Sequence, residues 1–242
     1  MKFLKLGVAV KRTYFPRVLP REATLDPIFV DLHRTACLCT MTSWERLHAA
    51  FDAVKYVVNN QVPGSIVECG VWKGGSSMVM AGALARLGDT SRDVYLFDTF
   101  TGMTEPVSAD GDAARLLWSK NRKADVNLFC YSPLEEVQNN MRTTGYPESK
   151  LHFVKGPVEQ TLPGTLPDVI AVLRLDTDWF ESTYHELTHL YPRLARNGIL
   201  IVDDYGDWQG ARLAVDQYFR EQKINPLLTR IDATGRLMVK LT

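Results

Sequence analysis

The sequence predicts an α/β fold built on a doubly wound, mostly parallel sheet. From about residue 43 onward, short apolar runs alternate with segments of helical periodicity, and Gly, Pro and Asp separate them. The runs show no polar alternation, which is typical of strands covered on both faces, as in parallel sheets. Strands that alternate with helices form right-handed crossovers, so the helices come to lie on both sides of one sheet.

Five strands and five helices follow from these patterns, and a closing hairpin completes the sheet. The strands are placed at 65–69, 94–97, 151–154, 169–175 and 198–202. The helices are placed at 43–61, 76–87, 133–144, 180–195 and 208–222. Residues 227–231 and 236–241 are two further strands, joined by a turn in which Gly235 suits a left-handed position. The prediction is therefore a seven-stranded sheet with an antiparallel C-terminal hairpin.

The first 42 residues show no clean periodicity and are assigned to an N-terminal arm, with residues 43–242 as the main domain. The arm carries several cationic and aromatic side chains, among them Lys11, Arg12, Tyr14, Phe15 and Arg17. Two interpretations stay open for it: a segment packed on the surface, or a lid over the functional site.

Composition suits a cytoplasmic protein and argues against nucleic acid or a membrane as partner. The 28 Lys and Arg residues balance the 28 Asp and Glu residues, so no net field attracts nucleic acid or a membrane surface. No run of about 18 apolar residues exists, and the N-terminus, interrupted by Lys5, lacks the cleavage site of a signal peptide. The four cysteines do not form the pairs typical of zinc or redox sites, which suits a reducing compartment.

A glycine-rich loop follows the first strand and indicates a nucleotide-like ligand. Gly70 and Gly75 allow sharp turns and a close approach of the backbone to a ligand. Ser76 or the serine after it can cap the next helix and offer a hydroxyl at its N-terminus. Asp98 follows Gly75 by 23 residues at a strand end, where an acid can accept hydrogen bonds from a ribose diol. The pair predicts an adenosine-bearing cofactor; the alternative is that Asp98 only caps a turn.

Two cofactors compete for this site. A nicotinamide dinucleotide needs a cradle for its pyrophosphate and a second mononucleotide-binding half. S-adenosylmethionine has no phosphate, so its loop need not match the dinucleotide fingerprint, and its ammonium and sulfonium groups favour nearby carboxylates. Glu68, two residues before Gly70, supplies a carboxylate. The sequence therefore favours S-adenosylmethionine.

Four aspartates follow two strands that we expect to be neighbours in the sheet. Asp176 and Asp178 come after the fourth strand, and Asp203 and Asp204 come after the fifth. Carboxylates gathered at one sheet edge repel one another and raise their own pKa values unless a cation lies among them. Hard oxygen ligands select Mg²⁺, with Mn²⁺ or Ca²⁺ as alternatives, and leave positions for vicinal substrate hydroxyls. Arg174, in an otherwise apolar strand, must pair if it is buried and is placed to brace this cluster. The alternative is that the aspartates are caps at the start of loops.

Residues 185–189 match the H-E-x-x-H pattern of zinc proteases. His185, Glu186 and His189 fall largely off the apolar stripe of the predicted helix, so we expect them to face solvent. The extended zinc motif ends in a third histidine, and at that offset the chain has Ala195. No zinc site is predicted.

Six segments carry a joint family resemblance: VECGVWKGGSS, LFDTFTGM, SPLEEVQNNM, GYPESKLHFVKGPVEQTLP, LRLDTDWFESTYHEL and GILIVDDYG. In this order they resemble the macrocin O-methyltransferase family, over residues from about Thr40 to Phe219. The resemblance implies an enzyme that uses S-adenosylmethionine and Mg²⁺ to methylate sugar hydroxyls on antibiotics and other glycosylated natural products. The seven-stranded sheet with a reversed final hairpin is also the layout of S-adenosylmethionine-dependent methyltransferases.

The resemblance also assigns roles to individual residues. The family's metal ligands correspond to Asp176, Asp203 and Asp204. Its cofactor-binding positions correspond to Met41, Glu68, Gly70, Gly75, Ser76 and Asp98. Asp178 takes the place of the general base, and the segment around Met41 is expected over cofactor and substrate. The implied partner is a small glycosylated acceptor; the sugar position and the oligomeric state, a homo-oligomer included, stay open.

Three alternatives remain at this point. A catechol-type methyltransferase would use the same metal chemistry on an aromatic diol. A nicotinamide-dependent oxidoreductase of Rossmann type would use the glycine loop for a different reaction. A catalytically silent sugar-binding module would bind the acceptor without transferring a methyl group.

Overall fold

The computed structural model describes residues 19–241. The arm residues Lys11, Arg12, Tyr14, Phe15 and Arg17 lie outside the described residues. No helix within the described range is long and apolar enough to cross a membrane.

The secondary structure of residues 19–241 begins with a short 3-10 turn and then alternates between helices and strands. In chain order the elements are α1 (Pro27–Ala36), α2 (Trp44–Asn59), β1 (Ser65–Cys69), α3 (Gly75–Arg86), β2 (Val94–Asp98), α4 (Gly111–Asn121), β3 (Arg122–Lys123), β4 (Val126–Asn127), α5 (Leu134–Arg142), β5 (Leu151–Lys155), α6 (Val158–Thr161), β6 (Ile170–Leu175), α7 (Phe180–Leu190), β7 (Leu194–Val202), α8 (Gln209–Glu221), β8 (Thr229–Arg230) and β9 (Arg236–Val239).

Seven strands form one sheet in the order β5-β2-β1-β6-β7-β9-β8. The first five of these run parallel, whereas β9 pairs antiparallel with both β7 and β8. This confirms the predicted mostly parallel sheet with an antiparallel C-terminal hairpin. Strands β3 and β4 form a separate two-stranded hairpin that the sequence patterns did not predict.

The register of the sheet determines where the predicted site residues lie relative to one another. Cys69 pairs with Phe97 on one side and with Leu175 on the other, and Leu175 pairs with Val202. Four neighbouring strands therefore end in one row. The residues after these four paired positions, Asp98, Gly70, Asp176 and Asp203, therefore lie together at the carboxyl edge of the sheet, where ligands bind in open α/β folds.

Both faces of the sheet are covered by apolar layers. Ile66, Val172 and Ile201 face α1, α2 and α3, and the residues after each of them point to the opposite layer beneath α7 and α8. All six residues of β6 are buried. The continuously apolar runs of the sequence thus reflect strands that lose solvent on both sides.

Helix α1 lies in the region assigned to the N-terminal arm. Asp26 caps it by accepting hydrogen bonds from the amides of Ile28 at 3.1 Å and Phe29 at 3.3 Å, and Pro27 occupies its first turn. Its buried Leu32 packs on α3 at Gly82, where a Cβ atom would lie 2.4 Å from Leu32 Cδ2. Part of residues 1–42 is therefore docked in the main core; the division at residue 42 and the lid function stay predictions.

Residues 99–132, here called the cap segment, connect β2 to α5 and contain α4 and the β3–β4 hairpin. The indole nitrogen of Trp118 donates to the carbonyl of Met103 at 3.1 Å, and the side-chain amide of Asn127 donates to the carbonyl of Trp118 at 3.0 Å. Trp179, at the start of α7, donates through its indole nitrogen to the carbonyl of Thr104 at 3.0 Å. The cap segment is therefore fixed against the loop that follows β6.

Candidate active site

The carboxyl edge of the sheet holds a cleft of about 1120 Å³, including its open mouth. Nine predicted site residues line it: Met41, Glu68, Gly70, Ser76, Asp98, Asp176, Asp178, Asp203 and Asp204. Gly75 is buried at the base of α3 and does not line the cleft. The structure thus brings the predicted cofactor loop and the aspartates of both strand ends into one place.

Gly70 allows the backbones of two strand ends to touch. Its φ is +81°, and a Cβ atom there would lie 2.1 Å from the carbonyl oxygen of Asp176. The amide of Asp176 donates to the carbonyl of Cys69 at 2.8 Å, and the amide of Gly70 donates to the carbonyl of Phe97 at 2.9 Å. The glycine is therefore required by both its left-handed backbone and its contact with the aspartate loop.

Replacement of Gly70 by alanine is expected to lower the free energy of unfolding by about 3 kcal/mol or more, because backbone strain adds to a clash with backbone. Gly88 is a matched control, since its φ is +77° and a Cβ atom there meets nothing within 4 Å. Gly88→Ala should cost about 1 kcal/mol, the strain alone. Chemical denaturation of both variants measures the difference, and equal losses would contradict the proposed contact.

A buried arginine, Arg174, contacts the acidic edge. The sequence required it to be paired if buried, and it is. The Arg174 side chain is 1% exposed, and its Nη1 donates to Glu68 Oε1 at 2.5 Å and to Asp176 Oδ2 at 2.8 Å. Its Nη2 donates to Asp203. One guanidinium therefore links three carboxylates from β1 and from the two loops after β6 and β7.

Glu68 is almost completely buried, whereas a carboxylate that binds a cationic cofactor at the surface would be exposed. It is 2% exposed, and it accepts hydrogen bonds from Arg174 and from the Ser77 hydroxyl. Burial raises the pKa of Glu68, against the lowering effect of Arg174 and Ser77. Its carboxylate is thus engaged within the protein, and a direct contact with the cofactor stays a prediction.

The capping role predicted for the serines of the loop is wrong. Helix α3 has Gly74 as its N-cap, in a left-handed conformation with φ +89°, and no side chain caps it. Ser77 instead donates to Glu68. The next residue, Gly75, is in close contact with the segment before α2. Its amide donates to the carbonyl of Cys39 at 2.9 Å, and a Cβ atom at Gly75 would lie 2.6 Å from Thr40 Cβ. This packing brings Met41 to the cleft.

Asp98 orders the backbone around the cleft. Its Oδ2 accepts from the amides of Val71 at 2.7 Å and Trp72 at 3.0 Å, and its Oδ1 accepts from the amide of Phe100 at 2.7 Å. Burial raises the pKa of Asp98, and these backbone hydrogen bonds oppose the rise. The carboxylate therefore ties the glycine loop to the turn after β2, and its contact with a ribose stays a prediction.

Three carboxylates approach one another in the cleft. Oxygens of Asp176, Asp178 and Asp204 all lie within 4.8 Å of one another, the arrangement of a candidate cation site. Burial, together with the charges of Asp203 and Asp204, raises the pKa of Asp176 well above its usual range, although Arg174 lowers it. Asp178 is 4% exposed and has a left-handed backbone with φ +68°. Strained conformations of this kind concentrate at functional sites.

Asp203 is not part of that group of three and instead pairs with two arginines. Its carboxylate accepts from Arg174 and Arg46, and from the Thr42 hydroxyl at 3.2 Å. Burial raises its pKa, but the two guanidinium groups prevail and lower the pKa below its ordinary value. The ligand set expected from the resemblance and the group found in the structure therefore share Asp176 and Asp204 and differ in the third member.

Arg46 is a site residue that the sequence patterns did not reveal. It is the third residue of α2 and only 8% exposed, and its Nε lies 3.0 Å from Asp232 Oδ2 in addition to the contact with Asp203. Asp232 in turn accepts from the Ser43 hydroxyl at 2.7 Å. Arg46 thus connects the aspartate edge to the C-terminal hairpin. A cation on the buried face of an amphipathic helix is the signal that could have found it.

The expectation that Glu186 faces solvent is wrong. Its relative exposure is 0%, and it lies on the buried side of α7 beside Leu187 and Leu190. Helix α7 packs on both the sheet and α8, so its buried face is wider than the single stripe used for the prediction. His185 and His189 are partly exposed, and His185 hydrogen-bonds through Nε2 to the carbonyl of Leu162 at 3.1 Å.

Comparison with known sequences decides the family. The sequence model described as macrocin-O-methyltransferase (TylF) matches residues 30–240, most of the chain. The chain belongs to the macrocin O-methyltransferase family. It is therefore an O-methyltransferase, as the six sequence segments indicated.

Individual relatives of the chain, which are themselves O-methyltransferases, agree with this assignment. The chain is 37% identical over 214 residues to the 8-demethyl-8-(2,3-dimethoxy-alpha-L-rhamnosyl)-tetracenomycin-C 4'-O-methyltransferase of Streptomyces olivaceus, covering 88% of this chain and 80% of that protein. It is 36% identical over 196 residues to the demethyldecarbamoylnovobiocin O-methyltransferase of Streptomyces niveus, covering 81% and 73%. The solved structure of the O-methyltransferase NovP is 35% identical, with a TM-score of 0.73 and coverage of 84% and 83%.

Proposed function

We propose that this protein transfers the methyl group of S-adenosylmethionine to a sugar hydroxyl of a glycosylated natural product, as in antibiotic biosynthesis. The observation that carries the proposal is the meeting of the glycine loop and four aspartates in one cleft. The activities of two relatives support the substrate class: one is a 4'-O-methyltransferase of a rhamnosyl tetracenomycin and another is a mycinamicin III 3''-O-methyltransferase.

We further propose that the acidic edge holds Mg²⁺. The donor set fits this ion, because Asp176, Asp178 and Asp204 offer hard oxygen atoms within 4.8 Å of one another and include no His or Cys. Burial and the neighbouring carboxylates raise the pKa of Asp176, so a cation among these carboxylates would stabilise its charged form. A bound divalent cation would supply Lewis acidity that lowers the pKa of a sugar hydroxyl.

The acidic residues would supply the cation ligands and a base. Asp176 and Asp204 would hold the cation, and the third ligand has two candidates: the resemblance gives Asp203, whereas proximity gives Asp178. Asp178 is the proposed general base, which removes the proton of the acceptor hydroxyl; a positioned base of this kind contributes about 10²–10⁴-fold. The left-handed backbone of Asp178, at φ +68°, supports this role because strained conformations concentrate at functional sites.

The chain also orients the two reactants. The segment around Met41, the glycine loop at Gly70 and the cap segment at Met103 all border the cleft, so they surround the place where cofactor and acceptor would meet. Holding two reacting atoms at about 3–3.5 Å in line is worth several orders of magnitude in rate. We therefore assign most of the remaining rate enhancement to placement.

An acceptor screen with labelled S-adenosylmethionine tests the function. Glycosides with vicinal sugar hydroxyls should accept the label, and the matched deoxy sugars that lack the second hydroxyl should accept at least about tenfold less, because they lose one chelating oxygen. Transfer to catechols alone would support an aromatic acceptor instead. Binding of glycosides without transfer, or binding of a nicotinamide cofactor in calorimetry, would contradict the proposal.

A further inference from the structure

Glu186 is a buried acid that the proposed reaction does not use. It sits on α7 in the apolar layer formed by Leu175, Leu187, Leu190 and their neighbours, and none of its surface reaches solvent. A carboxyl group in such a layer is costly unless another group satisfies it. Glu186 belongs to the H-E-x-x-H pattern, for which no zinc site is predicted, so that pattern does not explain why the residue is buried.

The nearest candidate partner is the Thr177 hydroxyl, in the middle of the Asp-Thr-Asp loop. The Thr177 Oγ1 atom is buried, and so are both carboxyl oxygens of Glu186. Within residues 19–241, none of the three atoms makes a hydrogen bond of normal geometry. The hydroxyl is nevertheless close enough to lower the pKa of Glu186. Two unsatisfied buried groups, one in the Asp-Thr-Asp loop and one on α7, thus lie close to each other.

The charge environment favours the neutral form of Glu186. Burial, together with the carboxylates of Glu159, Asp176 and Asp204, raises the pKa of Glu186 well above its usual range, and the Thr177 hydroxyl opposes this only in part. A neutral carboxylic acid has one O–H donor and an acceptor oxygen, and a hydroxyl has the same capacity. One hydrogen bond between the Glu186 carboxyl group and the Thr177 hydroxyl would therefore give both groups a partner.

We propose that Glu186 is a positioning residue that holds Thr177 from below and thereby fixes Asp176 and Asp178 on either side of it. Asp178 has φ +68°, and the carbonyl of Thr177 accepts from the amide of Trp179 at 2.8 Å, so the loop makes a tight turn at this point. A hydrogen bond to the central side chain constrains such a turn from the protein interior. This inference rests on the proposed function, because it concerns the same aspartates.

Four variants test the inference with Mn²⁺ alone as the probe. Glu186→Gln keeps the shape and hydrogen-bonding capacity of a neutral acid, whereas Glu186→Leu removes them; Thr177→Ser keeps the hydroxyl, whereas Thr177→Val removes it. The Mn²⁺ dissociation constant is measured by electron paramagnetic resonance, and the melting temperature is recorded for each. The kcat and KM values are then measured with a glycoside that the wild-type enzyme methylates.

Glu186→Gln and Thr177→Ser should stay within about threefold of wild type in Mn²⁺ affinity and kcat. Glu186→Leu and Thr177→Val should each lose about tenfold or more in both quantities, with the melting temperature of Thr177→Val near that of wild type. The Glu186→Leu/Thr177→Val double variant should be no worse than the poorer single variant, because both remove one hydrogen bond.

Wild-type behaviour of Thr177→Val, in Mn²⁺ affinity and kcat, would overturn the inference even if Glu186→Leu fails to fold. Equal damage from Glu186→Gln and Glu186→Leu would overturn it as well, because the amide preserves the proposed bond. Failure of the proposed function is separate from both outcomes: there the wild-type enzyme itself would bind no Mn²⁺ or transfer no methyl group.

Discussion

Replacement of Arg174 by methionine is expected to lower the free energy of unfolding by about 3–5 kcal/mol, because it leaves buried carboxylates without their cation. Arg174 links Glu68, Asp176 and Asp203, and its side chain is 1% exposed. Methionine fills a similar volume, so the loss reports on charge rather than on a cavity. Urea denaturation at neutral pH measures it.

A surface ion pair gives the matched control for this prediction. Arg142 and Glu148 lie 3.3 Å apart with side chains 50% and 66% exposed, so Arg142→Met should cost less than about 1 kcal/mol. The deficit of Arg174→Met should also shrink at acidic pH. In that variant the folded-state pKa values of the unpaired carboxylates rise above their unfolded values, so the folded state takes up protons and its stability falls as the pH rises. A loss below 1 kcal/mol at neutral pH would show that Arg174 does not hold the acidic edge together.

Replacement of Asp178 by asparagine is expected to reduce kcat by about 10²–10⁴-fold, because the acceptor hydroxyl loses its base. Asparagine is suited to this position, since it tolerates the left-handed backbone at φ +68° far better than alanine does. The melting temperature should therefore stay near that of wild type. Single-turnover kinetics with labelled S-adenosylmethionine measure the chemical step directly.

The Mn²⁺ affinities of Asp178→Asn and Asp203→Asn separate the base from the third ligand. If Asp178 is the base, its variant should bind Mn²⁺ as wild type does, and Asp203→Asn should bind it at least about tenfold more weakly. The reverse pattern would make Asp178 the ligand that its approach to Asp176 and Asp204 suggests. Near-normal turnover by Asp178→Asn, alongside an inactive Asp176→Asn, would rule out the general-base role.

Much of the fold follows from local patterns in the chain. The central strands β1, β6 and β7 are predictable because burial on both faces makes them continuously apolar, whereas the edge strand β5 is only partly buried and is marked by a short apolar run. Once they are placed, crossover geometry brings the loops after β6 and β7 to one edge, so the meeting of the aspartates is predictable as well. Helix α4 escaped prediction because Ala114 alone of its residues is buried, which leaves almost no apolar stripe to detect.

The orientation of side chains within the site depends on distant parts of the chain. Asp203 faces Arg46, which is 157 residues away, and nothing local to either residue indicates the contact. Glu186 is buried because α7 packs against two elements, whereas helical periodicity alone reveals one apolar stripe. The sequence could therefore place these residues near the sheet edge, but their partners follow only from tertiary packing.

Methyl transfer with and without a divalent cation shows whether the acidic edge acts through a bound metal. The enzyme is treated with EDTA, desalted and assayed with labelled S-adenosylmethionine and a glycoside that it methylates, before and after Mg²⁺ is added. We expect transfer to fall to background in the chelated enzyme and to return with Mg²⁺, since carboxylates from both strand ends are proposed to share that cation. Full turnover in the continued presence of EDTA would contradict a requirement for a divalent cation in methyl transfer.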